Sequence, residues 1–229
     1  MNDIICIPTG PFQVSTWILK LCKNFVIVID PAACRFTHDE QKISSFLKNN
    51  NLKPVLFLLT HGHFDHIAGT GILKDLYPDI PLAVHEKDYF MCGQNASSAQ
   101  NYSLDYFGLN EETSFLNNLP DPDVKITAQT NLAELIKNDD AELKESLEEW
   151  KIIHTPGHTE GSICIYNEAK KILFSGDTVF YHSYGRTDLP GGSEQKIAES
   201  LRKIYSTIPA ETKVFPGHGE AGFELAENL

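Results

Sequence analysis

The sequence has no long hydrophobic run, no basic cluster and no paired cysteines, and each absence removes a class of function. No stretch reaches the roughly 18 apolar residues that a membrane span requires. The opening "MNDIICIPTG" has no basic segment leading into a long apolar one, so a cytoplasmic protein is the expectation. Lysine and arginine number 19 against 31 aspartates and glutamates, a formal net charge of -12. No basic run is longer than a pair such as Lys170-Lys171. Nucleic acid and anionic membrane surfaces recruit clustered cations and are therefore not the expected partners. The five cysteines, Cys6, Cys22, Cys34, Cys92 and Cys164, are odd in number, widely spaced and free of any C-x-x-C pair. They make neither a disulfide framework nor a structural zinc site. Most lie in apolar runs such as "DIICIP" and "SICIY" and read as small core residues in a reducing compartment.

What is present fits a folded chain. With 229 residues, 41% hydrophobic and 22% charged, one domain over residues 1–229 with a sizeable core is expected. "IICIP", "FQVSTWILKL" and "FVIVID" read as successive strands of an antiparallel meander, broken by Thr9-Gly10-Pro11 and Lys23-Asn24. Thr37 and Glu40 match a capping box, with Ile43, Phe46 and Leu47 on one helical face behind it. "PVLFLL" is continuous enough for a strand covered on both faces, and Ile67, Ile72, Leu73 and Leu76 mark a short helix before Pro78. Residues 86–149 carry the weakest signals, and the acidic "NLAELIKNDDAELKESLEEW" reads as a solvated lid or flank. Strands return at "WKIIHT", "SICIYN" and "KILFSG", with a hairpin turn over Asn167–Lys170. A helix then begins near Ser193 and carries Ile197, Leu201, Ile204 and Tyr205 before "KVFPGHG" closes the chain as strand and loop. The order implies two similar halves packed sheet against sheet with helices outside.

The chemistry concentrates in "LLTHGHFDHIAG". His61, His63, Asp65 and His66 fall within six positions at a strand-to-helix connection. Four such side chains would be costly to desolvate without a cation, and imidazole with carboxylate suits Zn, Mn or Fe. His158 in "HTPGHTEGS", Asp177 in "FSGDTVF" and His218 in "FPGHGEA" each lie just beyond an apolar strand. All could therefore gather at one edge of a sandwich, where rigid scaffolds place function. His38, His85 and His182 read as structural, and His154 either packs in the core or supports the site from behind.

The motifs H-x-H-x-D-H, T-P-G-H-T-x-G-S, S-G-D-T and P-G-H-G, in this order, resemble those of the metallo-β-lactamase superfamily. The resemblance implies an α+β fold, an αββα four-layer sandwich of two mixed sheets with helices on the outer faces. It further implies two divalent metal ions, zinc first with iron or manganese as alternatives. His61, His63 and His158 would bind one ion, Asp65, His66 and His218 the second, and Asp177 would bridge them. Asp30, closing "FVIVID", matches a family position that supports the ligands, with turn formation before Pro31 as the competing reading.

Two cations sharing a water would lower its pKa towards neutrality and polarise a carbonyl, so metal-assisted hydrolysis is the expected reaction. Asp65 could also orient the nucleophile. "YGRTDLPGGS" is similar to the glyoxalase II group, which hydrolyses S-acylglutathione thioesters. Arg186 stands where that group holds a glutathione carboxylate; a salt bridge to Asp188 is the alternative. Classical members of that group carry a helical domain after the last metal ligand that completes the glutathione site; with 11 residues after His218, part of that site is expected to be missing or replaced. The competing reading is a persulfide dioxygenase with one iron on the positions of His61, His158 and Asp177. Lactonase, phosphodiesterase and non-enzymatic metal-binding roles rank lower, as does β-lactamase activity, given the metal-binding Asp65.

Overall fold

The computed structural model describes residues 3–109, 115–117 and 119–228. Residues 110–114 and 118, within the weakly patterned 86–149 region, and the terminal Met1, Asn2 and Leu229 lie outside the described residues.

Six strands form the first sheet in chain order: β1 (Ile4–Thr9), β2 (Val14–Lys20), β3 (Phe25–Ile29), β4 (Lys53–Leu58), β5 (Leu82–His85) and β6 (Val124–Ile126). The first three pair antiparallel, as a meander, with Cys6 opposite Trp17 and Ile18 opposite Val28. From β3 onward the pairing is parallel. The second sheet comprises β7 (Trp150–His154), β8 (Ile163–Asn167) and β9 (Ile172–Gly176), a small ribbon β10 (Val179–Phe180) and β11 (Ser183–Tyr184) following beside it. Strands β12 (Lys213–Pro216) and β13 (Phe223–Glu224) complete this sheet in the order β13-β12-β9-β8-β7, with β9 and β12 parallel. Asn167 makes the hairpin turn by accepting the Lys170 amide at 2.8 Å on its side-chain oxygen.

The period-two alternation of strands explains why the central runs are apolar throughout. Along β3 and β4, Ile27, Ile29, Leu56 and Leu58 point into the space between the sheets. Their neighbours Val26, Val28 and Phe57 point outward under helices. On β8 and β9, Ile163, Ile165 and Phe174 face inward, while Cys164, Tyr166 and Leu173 face the opposite side. The outer layer of the first sheet holds α1 (Lys42–Asn49), α2 (Phe64–Ile67) and α3 (Thr70–Leu76), then α4 (Ala96–Ala99) and α5 (Asn101–Tyr106). A further helix, α6 (Ala141–Glu148), closes the inter-sheet core, and α7 (Glu194–Thr207) covers the second sheet through Ile204. The fold is the αββα sandwich. Among the described residues no helix is long and apolar enough to cross a membrane.

Three expectations are corrected. The capping box at Thr37 does not open a helix: α1 starts at Lys42, and Thr37 lies in a single 3-10 turn. Asp39 explains the difference, because its carboxylate accepts the Thr37 hydroxyl and the amides of Cys34 and Gly10, fixing this segment as a loop instead. The acidic stretch before Trp150 is not a solvated lid. Leu132, Ala133, Leu143 and Leu147 are buried against the inter-sheet core, and Asp140 caps α6 by accepting the Leu143 amide at 3.2 Å. Cys6 is exposed on an edge strand, whereas Cys34, Cys92 and Cys164 are buried.

Candidate metal centre

Five strands deliver chemistry to one edge of the sandwich. β3 ends into Asp30, β4 into the loop carrying His61 and His63, β7 into the loop carrying His158, β9 into Asp177, and β12 into His218. α2 then carries Asp65 and His66. Side chains of all seven expected donors meet there. Ligand atoms of His61, His63 and His158 lie within 4.8 Å of one another, as do those of Asp65, His66 and His218. Asp177 stands between the groups: its Oδ2 is 3.5 Å from His158 Nε2 and 3.6 Å from His218 Nε2, and its Oδ1 is 3.5 Å from His66 Nε2. All seven are buried except His218, which is partly open.

Hydrogen bonds set which imidazole nitrogen is bare. His158 Nδ1 faces the Arg186 carbonyl at 2.8 Å and His218 Nδ1 the Phe12 carbonyl at 3.3 Å; a carbonyl only accepts, so both Nδ1 atoms donate. His66 Nδ1 donates to Asp30 Oδ2 at 2.9 Å. The Thr60 hydroxyl also donates to that carboxylate, at 2.6 Å, leaving its oxygen to accept from His61 Nδ1 at 3.1 Å. Four histidines thus commit Nδ1 outward and turn Nε2 inward, the arrangement by which outer partners orient metal ligands. One result is that the Nε2 atoms of His66 and His218 face each other at 3.2 Å. Two lone pairs at that distance repel unless a proton or a cation lies between them. His61 Nε2, His63 Nε2 and Asp177 Oδ1 are buried with no hydrogen-bond partner, and such orphaned groups require a compensating ligand. The donor set therefore fits divalent metal.

The electrostatics agree with this. Burial, with the neighbouring imidazoles, depresses the basicity of His61 and takes His63 down to about 3, so both are neutral and able to ligate. For Asp177, burial favours the acid form but is outweighed by His66 and the other imidazoles, and the carboxyl is held well below its usual range. Asp65 shifts the same way, burial being overcome by His66 and His218. His66 moves oppositely: burial is overcome by Asp177, Asp65 and Asp30, three carboxylates around one ring. That excess of buried negative charge suits a cation.

Glycine permits the close approach. A Cβ on Gly217 would fall 2.2 Å from Asp177 Oδ1 and 2.8 Å from His66 Cε1. Asp30 itself sits at φ 50, outside the region most residues prefer.

One residue went unnoticed in the sequence. Asp88, fully buried beyond β5, accepts the Gly62 amide at 2.9 Å, the Thr159 hydroxyl at 2.6 Å and the Gly161 amide at 2.7 Å. It ties the loop of His61 and His63 to the loop of His158. "HEKDYF" offered no signal for this, since an acidic residue among charged neighbours ordinarily reads as surface. His38 and His182 occupy left-handed turn positions away from the donors. His85 stacks on His154, ring centroids 4.2 Å apart and 9° from parallel, so the two bridge the sheets rather than join either cluster.

Above the donors lies a cavity of about 440 Å³ whose walls include Phe12, Phe64, Phe107, Phe180 and Leu189. Arg186 is at its rim. The guanidinium is already engaged, donating from Nε and Nη2 to the two oxygens of Asp188 at 2.7 Å each and lying over the Tyr106 ring at 4.6 Å.

An αββα sandwich with paired His and Asp clusters at the strand ends is built for metal-dependent hydrolysis. The chain belongs to the metallo-beta-lactamase superfamily, whose model matches residues 9–218. An uncharacterized protein of Aquifex aeolicus is 33% identical over 93% of this chain and 87% of its own length. The hydroxyacylglutathione hydrolase GloC of Haemophilus influenzae is 28% identical over 95% of this chain and 91% of its own. Among solved structures, the B3 metallo-beta-lactamase BLEG-1 aligns with a TM-score of 0.79 at 28% identity, over 98% of this chain and 95% of that one. TTHA1623, solved in a di-iron-bound form, aligns with a TM-score of 0.72 at 26% identity, over 97% and 96%.

Proposed function

We propose that the protein is a binuclear metal-dependent thioesterase acting on S-acylglutathione-type substrates. The observation that carries this reading is the pair of three-donor clusters flanking Asp177 on the floor of one cavity. His61, His63 and His158 would hold one ion, Asp65, His66 and His218 the other, and Asp177 would reach both. The di-iron form of TTHA1623 supports two ions in such a site, with zinc, iron and manganese all compatible with the donors. Divalent metal bound there would supply an acidified water and Lewis-acid polarisation of the acyl carbonyl.

The protein's own groups do the rest. Asp65, ionised and 3.4 Å from His218 Nε2, is placed to orient the attacking water. Asp30 holds His66 in one tautomer, and the Arg186 carbonyl does the same for His158. Water adds across the C–S bond, yielding a carboxylate, a thiol and one proton. No side-chain nucleophile is needed. The likeness of "YGRTDLPGGS" to the glyoxalase II group and the 28% identity to GloC support the thioester as substrate.

A second reading, β-lactam hydrolysis, is favoured by the likeness to BLEG-1. Both are tested by offering metal-loaded protein a panel of glutathione thioesters and a chromogenic cephalosporin, alongside His63→Ala. Thioester turnover that disappears in His63→Ala is the expected result. Absence of turnover on every thioester refutes the reading, and cephalosporin cleavage in its place establishes the second.

A further inference from the structure

The cavity beside the donors is chemically one-sided. Phe12 from the β1–β2 loop, Phe64 at the start of α2 and Phe107 just after α5 form a three-ring wall, with centroids 5.7, 5.0 and 5.9 Å apart pairwise. Phe180 and Leu189 line the cavity with them. Two of the lining rings are open to solvent: Phe12 is 40% exposed and Tyr184 49%. Uncovered aromatic surface converging from several chain segments marks a place where apolar matter binds.

Polar and charged anchors are scarce in comparison. Beyond the donors, Ser183, the Tyr184 hydroxyl and Arg186 are the polar groups among the described lining residues. Arg186 spends both arms of its fork on Asp188 and lays its face over Tyr106 and Phe107, at 4.6 and 5.3 Å. A guanidinium in that geometry is a brace across the aromatic wall. A hydroxylated acyl group such as lactoyl would set its hydroxyl against ring carbon, where losing its hydrogen bonds to water costs free energy.

Resting on the thioesterase reading above, we propose that the acyl group received by this site is apolar, an aromatic or medium-length aliphatic group. Arg186 acts as a positioning residue for the wall that receives it rather than as the anchor of a substrate carboxylate. Selectivity between thioesters of the same thiol then follows apolar area, since each methylene withdrawn from water contributes roughly fourfold in affinity.

Two measurements on metal-loaded protein test this independently of one another. In the first, calorimetry compares S-hexylglutathione with S-methylglutathione, thioethers that cannot be hydrolysed. The hexyl compound is expected to bind at least tenfold tighter, with the ratio falling to within about threefold in Phe12→Ala; Phe12 is exposed enough for its truncation to leave the fold intact. Arg186→Gln is expected to reduce the ratio as well. A uniform weakening of both ligands in Arg186→Gln, with the ratio kept, would overturn the bracing role. In the second, kcat/KM for S-hexanoylglutathione is expected to exceed that for S-lactoylglutathione at least tenfold. If hexyl binds no tighter than methyl, or lactoyl is the better substrate, the apolar pocket is refuted. Tight hexyl binding without turnover of any thioester leaves the pocket standing and removes the thioesterase reading alone.

Discussion

Replacing Asp88 with alanine removes one acceptor that three donors on two loops share. The Gly62 and Gly161 amides and the Thr159 hydroxyl all point at a carboxylate with no solvent exposure. Hydrogen bonds to a charged acceptor contribute about 1.5–3 kcal/mol each. Thr159 can turn to Ser162, whose hydroxyl oxygen is 2.7 Å away, but the two amides have no such alternative. The net loss should therefore be about 3–5 kcal/mol, the range for stranding buried polar partners. Asp88→Asn keeps one acceptor oxygen and turns a second donor toward the same groups, so a loss of about 1–2 kcal/mol is expected. Lengthening is no remedy, since a Cβ on Gly161 would already lie 2.6 Å from the carboxylate. The functional consequence is separable from stability: with the loops of His61, His63 and His158 no longer tied, metal affinity should fall roughly 10–100-fold. Urea denaturation gives the first quantity and chelator competition the second. An Asp88→Ala protein within 1 kcal/mol of wild type, with unchanged metal affinity, would refute the reasoning.

Other perturbations test separate links. Asp30→Ala removes the acceptor that fixes the His66 tautomer and orders Thr60 beneath His61; metal affinity should drop roughly 10–100-fold by competition titration, and an unchanged value would show Asp30 to be a turn residue. Gly217→Ala forces a methyl against Asp177 and His66, so metal content after gel filtration should fall sharply while the far-ultraviolet spectrum stays native. Leu143→Ala, in the segment expected from its charge to be a lid, should cost about 2–5 kcal/mol in denaturant because the side chain is fully buried; a lid residue would cost almost nothing. Burial and the facing His154 take His85 down to about 4 from an ordinary 6.5. The unfolded chain then binds the extra proton more readily, so stability present above pH 6.5 is lost as pH falls and the loss is complete near pH 4, at most about 3 kcal/mol. In His85→Phe that part of the acid sensitivity should vanish; a pH profile parallel to wild type would refute it.

The degree to which this molecule was legible in its sequence varies with the kind of signal each residue carries. The convergence of His61, His63, Asp65, His66, His158, Asp177 and His218 was legible because His and Asp cluster at strand ends, where few structural roles demand them, and the buried runs "FVIVID" and "PVLFLL" required cover on both faces. Patterns resting on local chemistry alone failed where a distant group competed. Thr37 and Glu40 spell a helix start, yet Asp39 drew the hydroxyl and two backbone amides into a loop. The acidic segment before Trp150 hid five buried apolar residues, Leu132, Ala133, Ile136, Leu143 and Leu147, behind a high charge count. Asp88 was invisible for the same reason as Arg186 was ambiguous. What each side chain does depends on partners far along the chain or around a turn, Gly62 and Gly161 for one, Asp188, Tyr106 and Phe107 for the other.

In the proposed reading His61, His63 and His158 would hold one divalent ion, Asp65, His66 and His218 a second, and Asp177 would reach both. Metal content per chain, measured by plasma emission spectroscopy on protein purified in the presence of metal and then freed of excess, tests it most directly. Two ions per chain are expected. A single iron per chain, with oxygen consumed on a persulfide substrate, or no retained metal at all, would contradict that reading.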